Sequence, residues 1–346
     1  MPWYLEPARE ASEPARKAAL ARQASLTKPS GALGRLESLA VDVAALQNSD
    51  RPALSRSAVR IFAGDHGVAD EGVSAFPQAV TQQMIHNFAT GGAAISVLAR
   101  QLGADFAVIN MGTAEPANFA PQVVNLQLMP GTQRFCDTPA MTAEQCEGAM
   151  RVGYEHFPAG CDVFLGGEMG IGNTTSAAAL TSALLQLSPG ETVGLGTGVD
   201  EQGLLRKRSV VAKGLALHAG MLSDPVGALR CLGGLEIAAL TGAFIHAAQT
   251  GVIALVDGYI CSVAALLACR INPGVRPWLF FAHRSAEPGH RHVLEALEAE
   301  PLLDFGLRLG EGSGAALALP LLQSACALHN EMSTFAQAGV SEGRKP

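Results

Sequence analysis

Two glutamates stand in glycine-rich segments, where a bound ligand could approach their carboxylates closely. Glu311 lies between Gly310 and Gly312, just before a long run of alanine and leucine. Burial beside such an apolar segment would raise its pKa toward neutrality and suit it to proton transfer. Glu168 stands in GGEMGIGNTT, and because a carboxylate repels phosphate we expect it to face a ribose or a reacting base. Helix capping is the alternative role for Glu311.

The segment FLGGEMGIGNTTSAAAL, residues 164–180, has the features of a phosphate-binding turn. Gly170 and Gly172 allow a tight turn with free backbone amides, and residues 173–175 are good helix N-caps. The helix that follows would offer an anion its N-terminal N–H groups and the positive end of its dipole. The segment is neither GxxxxGK[ST] nor a clean GxGxxG, which disfavours ATP and dinucleotides. A purely structural turn is the alternative.

A second glycine-rich turn, VGLGTGVDEQGLLRKR, spans residues 193–208. Its glycines also allow a tight turn with free backbone amides, and Asp200 is placed to cap the helix that follows. Lys207 falls about two turns into that helix. There it could reach an anion or simply be solvated.

Asp65 and His66 follow a predicted strand in FAGDHGVADEGVSAFPQAVTQQM, where they could form an acid–base pair or bind a metal. The histidines of HRSAEPGHRH are the other local group, and their spacing fits no standard zinc pattern. We therefore predict a site without metal. Ser74, Gln82 and Gln83 in the same segment could line a pocket or lie on the surface.

Asp257 stands as a single acid at the end of a predicted strand, in ALVDGY. Enzymes that use phosphoribosyl pyrophosphate carry two acidic residues in such a setting, which hold the ribose hydroxyls and the Mg–pyrophosphate. A ribosyl phosphate transferred here should therefore come from a donor that needs no magnesium, and we predict no cofactor.

The elements that must position these residues repeat one unit, which is a short apolar run, a turn and a helix. Such units predict an α/β fold with a mostly parallel, Rossmann-like sheet of about six strands flanked by helices. Ligands bind at the carboxyl ends of the strands in this architecture, which is where the polar segments fall. The predicted strands are Val59–Ala63, Phe106–Asn110, Val163–Leu165, Thr192–Leu195, Val252–Val256 and Leu279–Ala282.

Both ends of the chain show helical spacing, over residues 6–25, 31–47 and 313–336. We predict an α/β catalytic domain at residues 50–312. Residues 1–49 and 313–346 should meet as a small helical subdomain.

The composition favours a cytoplasmic enzyme that acts on small ligands. Apolar residues make up 48% and charged residues 16% of the 346 residues, which supports a large core. The net charge is −7 without a cluster of lysine and arginine, which argues against nucleic acid and membrane as partners. The seven cysteines form no CxxC, and the charged N-terminus lacks an apolar signal segment.

Eight segments, in order from about residue 27 to 322, resemble the nicotinate-nucleotide–dimethylbenzimidazole phosphoribosyltransferase family of cobalamin lower-ligand synthesis. Any one segment is weak evidence, but eight in order are highly specific and cover nearly the whole chain. The segments are TKPSGALGRLE, FAGDHGVADEGVSAFPQAVTQQM, GGEMGIGNTT, GLGTGVDEQGLLRKR, LGGLEIAALTGA, ALVDGY, HRSAEPGH and LGEGSGAALALPLL.

The resemblance implies a homodimer that moves ribosyl 5-phosphate from nicotinate mononucleotide to 5,6-dimethylbenzimidazole. The products would be α-ribazole 5-phosphate, with inversion at C1′, and nicotinate. Glu311 is implied as the general base and Glu168 as a second carboxylate near the reacting centre. The implied phosphate and ribose ligands are Gly170, Ile171, Gly172, Asn173, Thr174, Lys207 and Asp257, and the implied base-binding residues are Ser74, Gln82 and Leu309.

Three other functions compete with this one. The same fold could act on another acceptor, a purine or a phenol, or it could bind α-ribazole or a nucleotide without catalysis. The presence of both Glu168 and Glu311 favours an enzyme over a binding protein. A NAD-dependent oxidoreductase is disfavoured because no GxGxxG opens a helix with a suitably placed acid.

Overall fold

A computed structural model describes residues 2–115, 117–196 and 198–341 of the chain. Thr197 of the second glycine-rich turn lies outside the described residues. So do Met1 and residues 342–346 of the predicted subdomain.

The fold is built on one sheet, whose strands are β1 (Ser57–Gly64), β2 (Asp105–Gly112), β3 (Val123–Asn125), β4 (Val163–Met169), β5 (Ile253–Val256) and β6 (Leu279–Phe281). Neighbouring strands pair in parallel, in the order β3-β2-β1-β4-β5-β6. The order reverses between β1 and β4, which opens a crevice at their carboxyl ends. The predicted α/β fold with a parallel sheet is confirmed.

Helices pack around this sheet and connect its strands. They are α1 (Glu13–Ser25), α2 (Arg35–Gln47), α3 (Ala79–Thr90), α4 (Ala94–Leu102), α5 (Ala143–Glu155), α6 (Asn173–Leu185), α7 (Pro189–Thr192), α8 (Glu201–His218), α9 (Pro225–Leu232), α10 (Leu235–Thr250), α11 (Tyr259–Ile271), α12 (Pro288–Ala296), α13 (Ser313–Glu331) and α14 (Phe335–Ala338). Among the described residues, no helix combines the length and apolar character needed to cross a bilayer.

Five of the six predicted strands are confirmed, and the strand at Thr192–Leu195 is wrong. Thr192 ends the short helix α7, which begins with a capping box formed by Ser188 and Glu191. The residues that follow it have no strand structure. The remaining strand of the sheet is β3, an edge strand of three residues beside β2.

The helices at the two ends of the chain contact each other. Arg22 of α1 donates hydrogen bonds to the carbonyl oxygens of His329 (2.6 Å) and Asn330 (2.8 Å) at the end of α13. Helix α2 packs against both α1 and α13, while α13 also packs against β4 and β5. These contacts agree with a terminal helical cluster. The domain boundaries at residues 50–312, and 1–49 plus 313–346, stay a prediction.

Glycines let α5 and α10 approach each other closely under the sheet. A methyl group added at Gly153 of α5 would overlap the carbonyl oxygen of Ala239, and one added at Gly242 of α10 would overlap that of Met150. Since α10 also packs on β1, β4 and β5, this contact holds α5 against the central layer.

Replacing Gly242 by alanine should lower the free energy of unfolding by about 1–3 kcal/mol, because the added methyl group must push α10 away from α5. Guanidinium denaturation followed by circular dichroism measures the change. Gly148→Ala on α5 is the control, since no atom lies within 4 Å of an added methyl group there. It should be neutral or slightly stabilising. Equal destabilisation by both substitutions would contradict this account of the packing.

Candidate active site

A cavity opens at the carboxyl ends of β4, β5 and β6, beside the crevice between β1 and β4. Segments 168–174, 257–261, 283–287 and 308–310 contribute to its wall. The site residues that the sequence predicted and the fold brings into this wall are Glu168, Gly170, Ile171, Asn173, Thr174, Asp257 and Leu309.

Glu311 lies next to the cavity on a turn with an unusual backbone. Gly310, Glu311 and Gly312 all have positive φ angles, of 83°, 65° and 83°. Glycine tolerates this left-handed conformation, but a glutamate adopts it only where its surroundings impose it. The turn therefore directs the Glu311 side chain in a way that an ordinary loop would not.

Asp257, at the end of β5, fixes this turn to the sheet. Its Oδ2 accepts a hydrogen bond from the N–H of Gly312 (3.2 Å), and its Oδ1 accepts one from the N–H of Ala315 (2.8 Å). Asp257 thus binds the N-terminus of α13, and the alternative that Glu311 caps this helix is wrong. Both Asp257 oxygens face protein N–H groups, while the residue also reaches the cavity wall.

The backbone of β4 supports the same turn from below. A methyl group added at Gly167 would overlap both the carbonyl oxygen of Glu311 and Cδ1 of Ile61. One added at Gly312 would lie 3.3 Å from the Gly167 Cα. The turn therefore rests directly on the strand, which leaves Glu311 little freedom.

Glu311 is 6% exposed, and the Oε2 atom of its carboxyl has no hydrogen-bond partner among the described residues. Burial raises its pKa to about 7, and the negative charge of Asp257 adds to this effect. The N–H of Ile95, at the start of α4, opposes the shift. A carboxyl group in this state can take up or release a proton near neutral pH.

Glu168, at the end of β4, is buried against the same turn. Its pKa is raised to about 8, chiefly by burial and also by the charges of Glu236 and Asp257, while a hydrogen bond donated by the Asn173 side chain opposes the shift. A methyl group added at Gly310 would overlap Oε1 of Glu168. The glycine therefore lets the turn that carries Glu311 approach the second carboxyl.

The loop of residues 170–173 joins β4 to α6. Gly172 is the N-cap of α6 with a φ of 100°, so the prediction that residues 173–175 supply the N-cap is wrong. These residues form the first turn of the helix instead. The N–H groups of Asn173 and Thr175 donate to the carbonyl oxygens of Gly170 (3.1 Å) and Gly172 (3.0 Å). The N–H of Thr174 has no backbone partner outside the helix among the described residues, and with the positive end of the helix dipole it suits this end of α6 to bind an anion.

The Lys207 side chain extends from α8 to the first turn of α6. This side chain is almost fully buried, and its Nζ donates a hydrogen bond to Oγ1 of Thr174 (3.1 Å). The alternative of a solvated lysine is therefore wrong. Burial lowers its pKa, and the nearby Glu287 carboxylate opposes this shift. Asp200 caps α8 through the N–H of Gly203 (2.8 Å), as predicted.

Two residues predicted to bind the base lie away from the cavity wall. Neither Ser74 nor Gln82 lines it, and the Ser74 hydroxyl accepts a hydrogen bond from the N–H of Phe76 (3.1 Å). Leu309 lines the cavity and is 58% exposed. The base-binding role of these three residues stays a prediction.

Several cavity residues were not assigned from the sequence. They are Tyr259, His283, Ser285, Glu287 and Arg308. The segment HRSAEPGH had drawn attention to three of these positions without giving them a role.

The chain is similar to known phosphoribosyltransferases over almost its whole length. A family model for phosphoribosyltransferases, DBI_PRT, matches residues 8–340. Nicotinate-nucleotide–dimethylbenzimidazole phosphoribosyltransferases of Pseudomonas aeruginosa and Azotobacter vinelandii are each 59% identical, with 98% of both chains covered. Two crystal structures from Thermus thermophilus superpose well. One bears the same enzyme name (TM-score 0.90, 45% identity, 96% of this chain and 100% of that chain). The other, CobT, has a TM-score of 0.92 at 46% identity, with 95% and 100% covered.

Replacing Gly310 by alanine should displace the Glu168 carboxyl and reduce activity by about tenfold or more, since small misplacements at a reacting centre are costly. Gly306→Ala is a matched control. Gly306 also has a positive φ, of 65°, but no atom lies within 4 Å of an added methyl group. The Gly306→Ala variant should keep turnover within about twofold of the wild-type rate, because backbone strain at this exposed position does not move a site residue. Steady-state rates of both variants test this, and equal losses would contradict the contact with Glu168.

Proposed function

The chain belongs to the DBI_PRT family of phosphoribosyltransferases, and from that premise we propose the reaction that it catalyses. It transfers ribosyl 5-phosphate from nicotinate mononucleotide to 5,6-dimethylbenzimidazole, giving α-ribazole 5-phosphate and nicotinate. The similar enzymes of Pseudomonas aeruginosa, Azotobacter vinelandii and Thermus thermophilus are named for dimethylbenzimidazole, which supports this acceptor over a purine or a phenol.

One observation carries the proposal, which is a pair of buried carboxyls with raised pKa values beside one cavity. The pKa of Glu311 is raised to about 7 and that of Glu168 to about 8, so both groups can hold or release a proton near neutral pH. The Glu168 carboxyl accepts a hydrogen bond from the Asn173 side chain, whereas Oε2 of Glu311 has no hydrogen-bond partner among the described residues. This unpartnered oxygen favours Glu311 as the base.

The reaction requires one proton acceptor. A benzimidazole nitrogen attacks C1′ of the ribose from the face opposite the nicotinate, and the bond from C1′ to the pyridinium nitrogen breaks. The nicotinate leaves with the electron pair of that bond as a neutral ring nitrogen, so it needs no general acid. The benzimidazole would become cationic, and Glu311 takes the proton from its other ring N–H. A carboxylate there also stabilises the positive charge that develops on the acceptor.

The phosphate of the donor would bind at the 170–173 loop and the start of α6. The helix N-terminus supplies N–H groups, and the Lys207 ammonium, held at Thr174, supplies a positive charge. Anchoring the phosphate far from C1′ orients the ribose without a metal ion. Asp257 contributes by holding the Glu311 turn, and a contact from Asp257 to the ribose remains part of the proposal.

A homodimer and a cytoplasmic location complete the proposal. Val97 of α4 and Leu317 and Leu321 of α13 are 36–45% exposed on two helices that contact each other. Such an apolar surface suits contact with a second copy of the chain. All seven cysteines are free, which suits a reducing compartment.

Glu311→Gln should reduce product formation by about 10²-fold or more in the presence of EDTA, because the amide cannot accept the proton. The wild type should turn over rapidly under the same conditions. Chromatographic separation of α-ribazole 5-phosphate measures the rate from nicotinate mononucleotide and dimethylbenzimidazole.

Glu155→Gln is the control for this substitution, since Glu155 is exposed at the end of α5. It should retain wild-type activity. Wild-type turnover that stops in EDTA and returns with Mg²⁺ would overturn the metal-free mechanism. A Glu311→Gln enzyme as fast as the wild type would remove Glu311 from the role of base.

A further inference from the structure

His66 follows β1 and is completely buried, yet the proposed function gives it no role. Its Nε2 lies 2.6 Å from Oε1 of Glu236 at the start of α10, and its Nδ1 lies 2.9 Å from Oγ of Ser176 in α6. Glu236 and Ser176 are also completely buried. Both ring nitrogens of His66 therefore have a buried hydrogen-bond partner, which joins β1, α6 and α10 at this point.

The 170–173 loop lies directly on this buried pair. A methyl group added at Gly170 would lie 3.3 Å from both Cδ2 of His66 and Oε1 of Glu236. One added at Gly172 would lie 3.2 Å from Cβ of His66, and one added at Gly234 would overlap the imidazole ring. The loop therefore rests on the His66 and Glu236 side chains without space between them.

Hydrogen bonds within and around the loop also fix its shape, since the N–H of Asn173 donates to the carbonyl oxygen of Gly170 (3.1 Å) and the Asn173 side chain donates to Glu168. Gly172 caps α6 without a side chain. The N–H of Ile171 donates to Oγ1 of Thr81 (3.1 Å). Ser176 lies about one turn into α6, so its hydrogen bond to His66 ties the N-terminus of that helix to the end of β1.

We propose that His66 is a positioning residue that acts through Ser176 and Glu236 to hold the 170–173 loop in its phosphate-binding shape. This inference rests on the proposed function, which identifies the bound nucleotide as nicotinate mononucleotide. A loop whose N–H groups converge on an anion loses affinity when its helix shifts, because those donors no longer point at the same place. His66 acts through the loop and not on the reacting atoms, so its effect belongs to nucleotide binding.

Ser176→Ala tests this by removing the link between His66 and α6. Calorimetric titration should give a Kd for nicotinate mononucleotide about 3- to 10-fold above that of the wild type, the range expected for one lost hydrogen bond. The KM for the nucleotide should rise in parallel. The KM for dimethylbenzimidazole should stay unchanged, because Glu311 does not belong to the loop. The change in kcat should be smaller than the change in the KM for the nucleotide, since the loop reaches the carboxyls only through the hydrogen bond from Asn173 to Glu168.

Ser182→Ala is the matched control on the same helix. Its hydroxyl is also buried and lies 2.7 Å from Oγ1 of Thr192, away from the loop. It should lower thermal stability about as much as Ser176→Ala does but leave the Kd for the nucleotide unchanged. Gln78→Ala is a second test, since the Gln78 side chain is half-buried and donates to the carbonyl oxygen of His66 (2.9 Å). It should weaken nucleotide binding in the same direction.

The outcomes separate this inference from the proposed reaction. If Ser176→Ala and Gln78→Ala bind the nucleotide as tightly as Ser182→Ala does, the positioning role is overturned. If the wild type binds nicotinate mononucleotide but forms no product, the proposed reaction fails, and the comparison of Kd values still decides the role of His66. If the wild type does not bind the nucleotide, both are overturned.

Discussion

The geometry of the site depends on the hydrogen bonds that Asp257 accepts from the turn at Gly310–Gly312 and from the start of α13. These hydrogen bonds tie the end of β5 to the start of α13 and keep Glu311 in a left-handed conformation. The turn lies on Gly167 of β4, so Glu311 is in close contact with both the sheet and the start of α13. A residue that must meet a reacting nitrogen benefits from such a support, because its position is set before the substrates arrive.

The same arrangement explains how a chain can keep several acids buried at one place. Glu168, Glu236, Asp257 and Glu311 lie close enough for their charges to act on one another. Asp257 accepts hydrogen bonds from N–H groups at the start of α13, and Glu236 faces His66. Burial raises the pKa of Asp257, Glu168 and Glu311. The reversal of strand order between β1 and β4 brings these groups together at one edge of the sheet.

The sequence was sufficient for the parts of the structure that depend on local pattern. Apolar runs followed by glycine-rich turns predicted the parallel sheet, and the glycines on both sides of Glu311 indicated a turn that a ligand could approach closely. Strand β3 was missed because three residues leave almost no periodic signal, and Thr192 was misplaced although Ser188 and Glu191 form a capping box. Pairings across the fold could not be predicted. His66 and Glu236 are 170 positions apart, and neither local sequence predicts that the two side chains are in contact.

The pH dependence of kcat/KM for dimethylbenzimidazole, at saturating nicotinate mononucleotide, tests most directly whether Glu311 is the base. A base with a pKa raised to about 7 must be ionised to act. The wild-type rate should therefore fall as pH drops through about 7 and level off above it. Protonation of the acceptor affects wild type and Glu311→Gln alike, so only the difference between their profiles reports on Glu311. We expect the Glu311→Gln profile to lack the fall in kcat/KM below pH about 7 that the wild type shows. Superimposable pH profiles of the two enzymes would contradict the account.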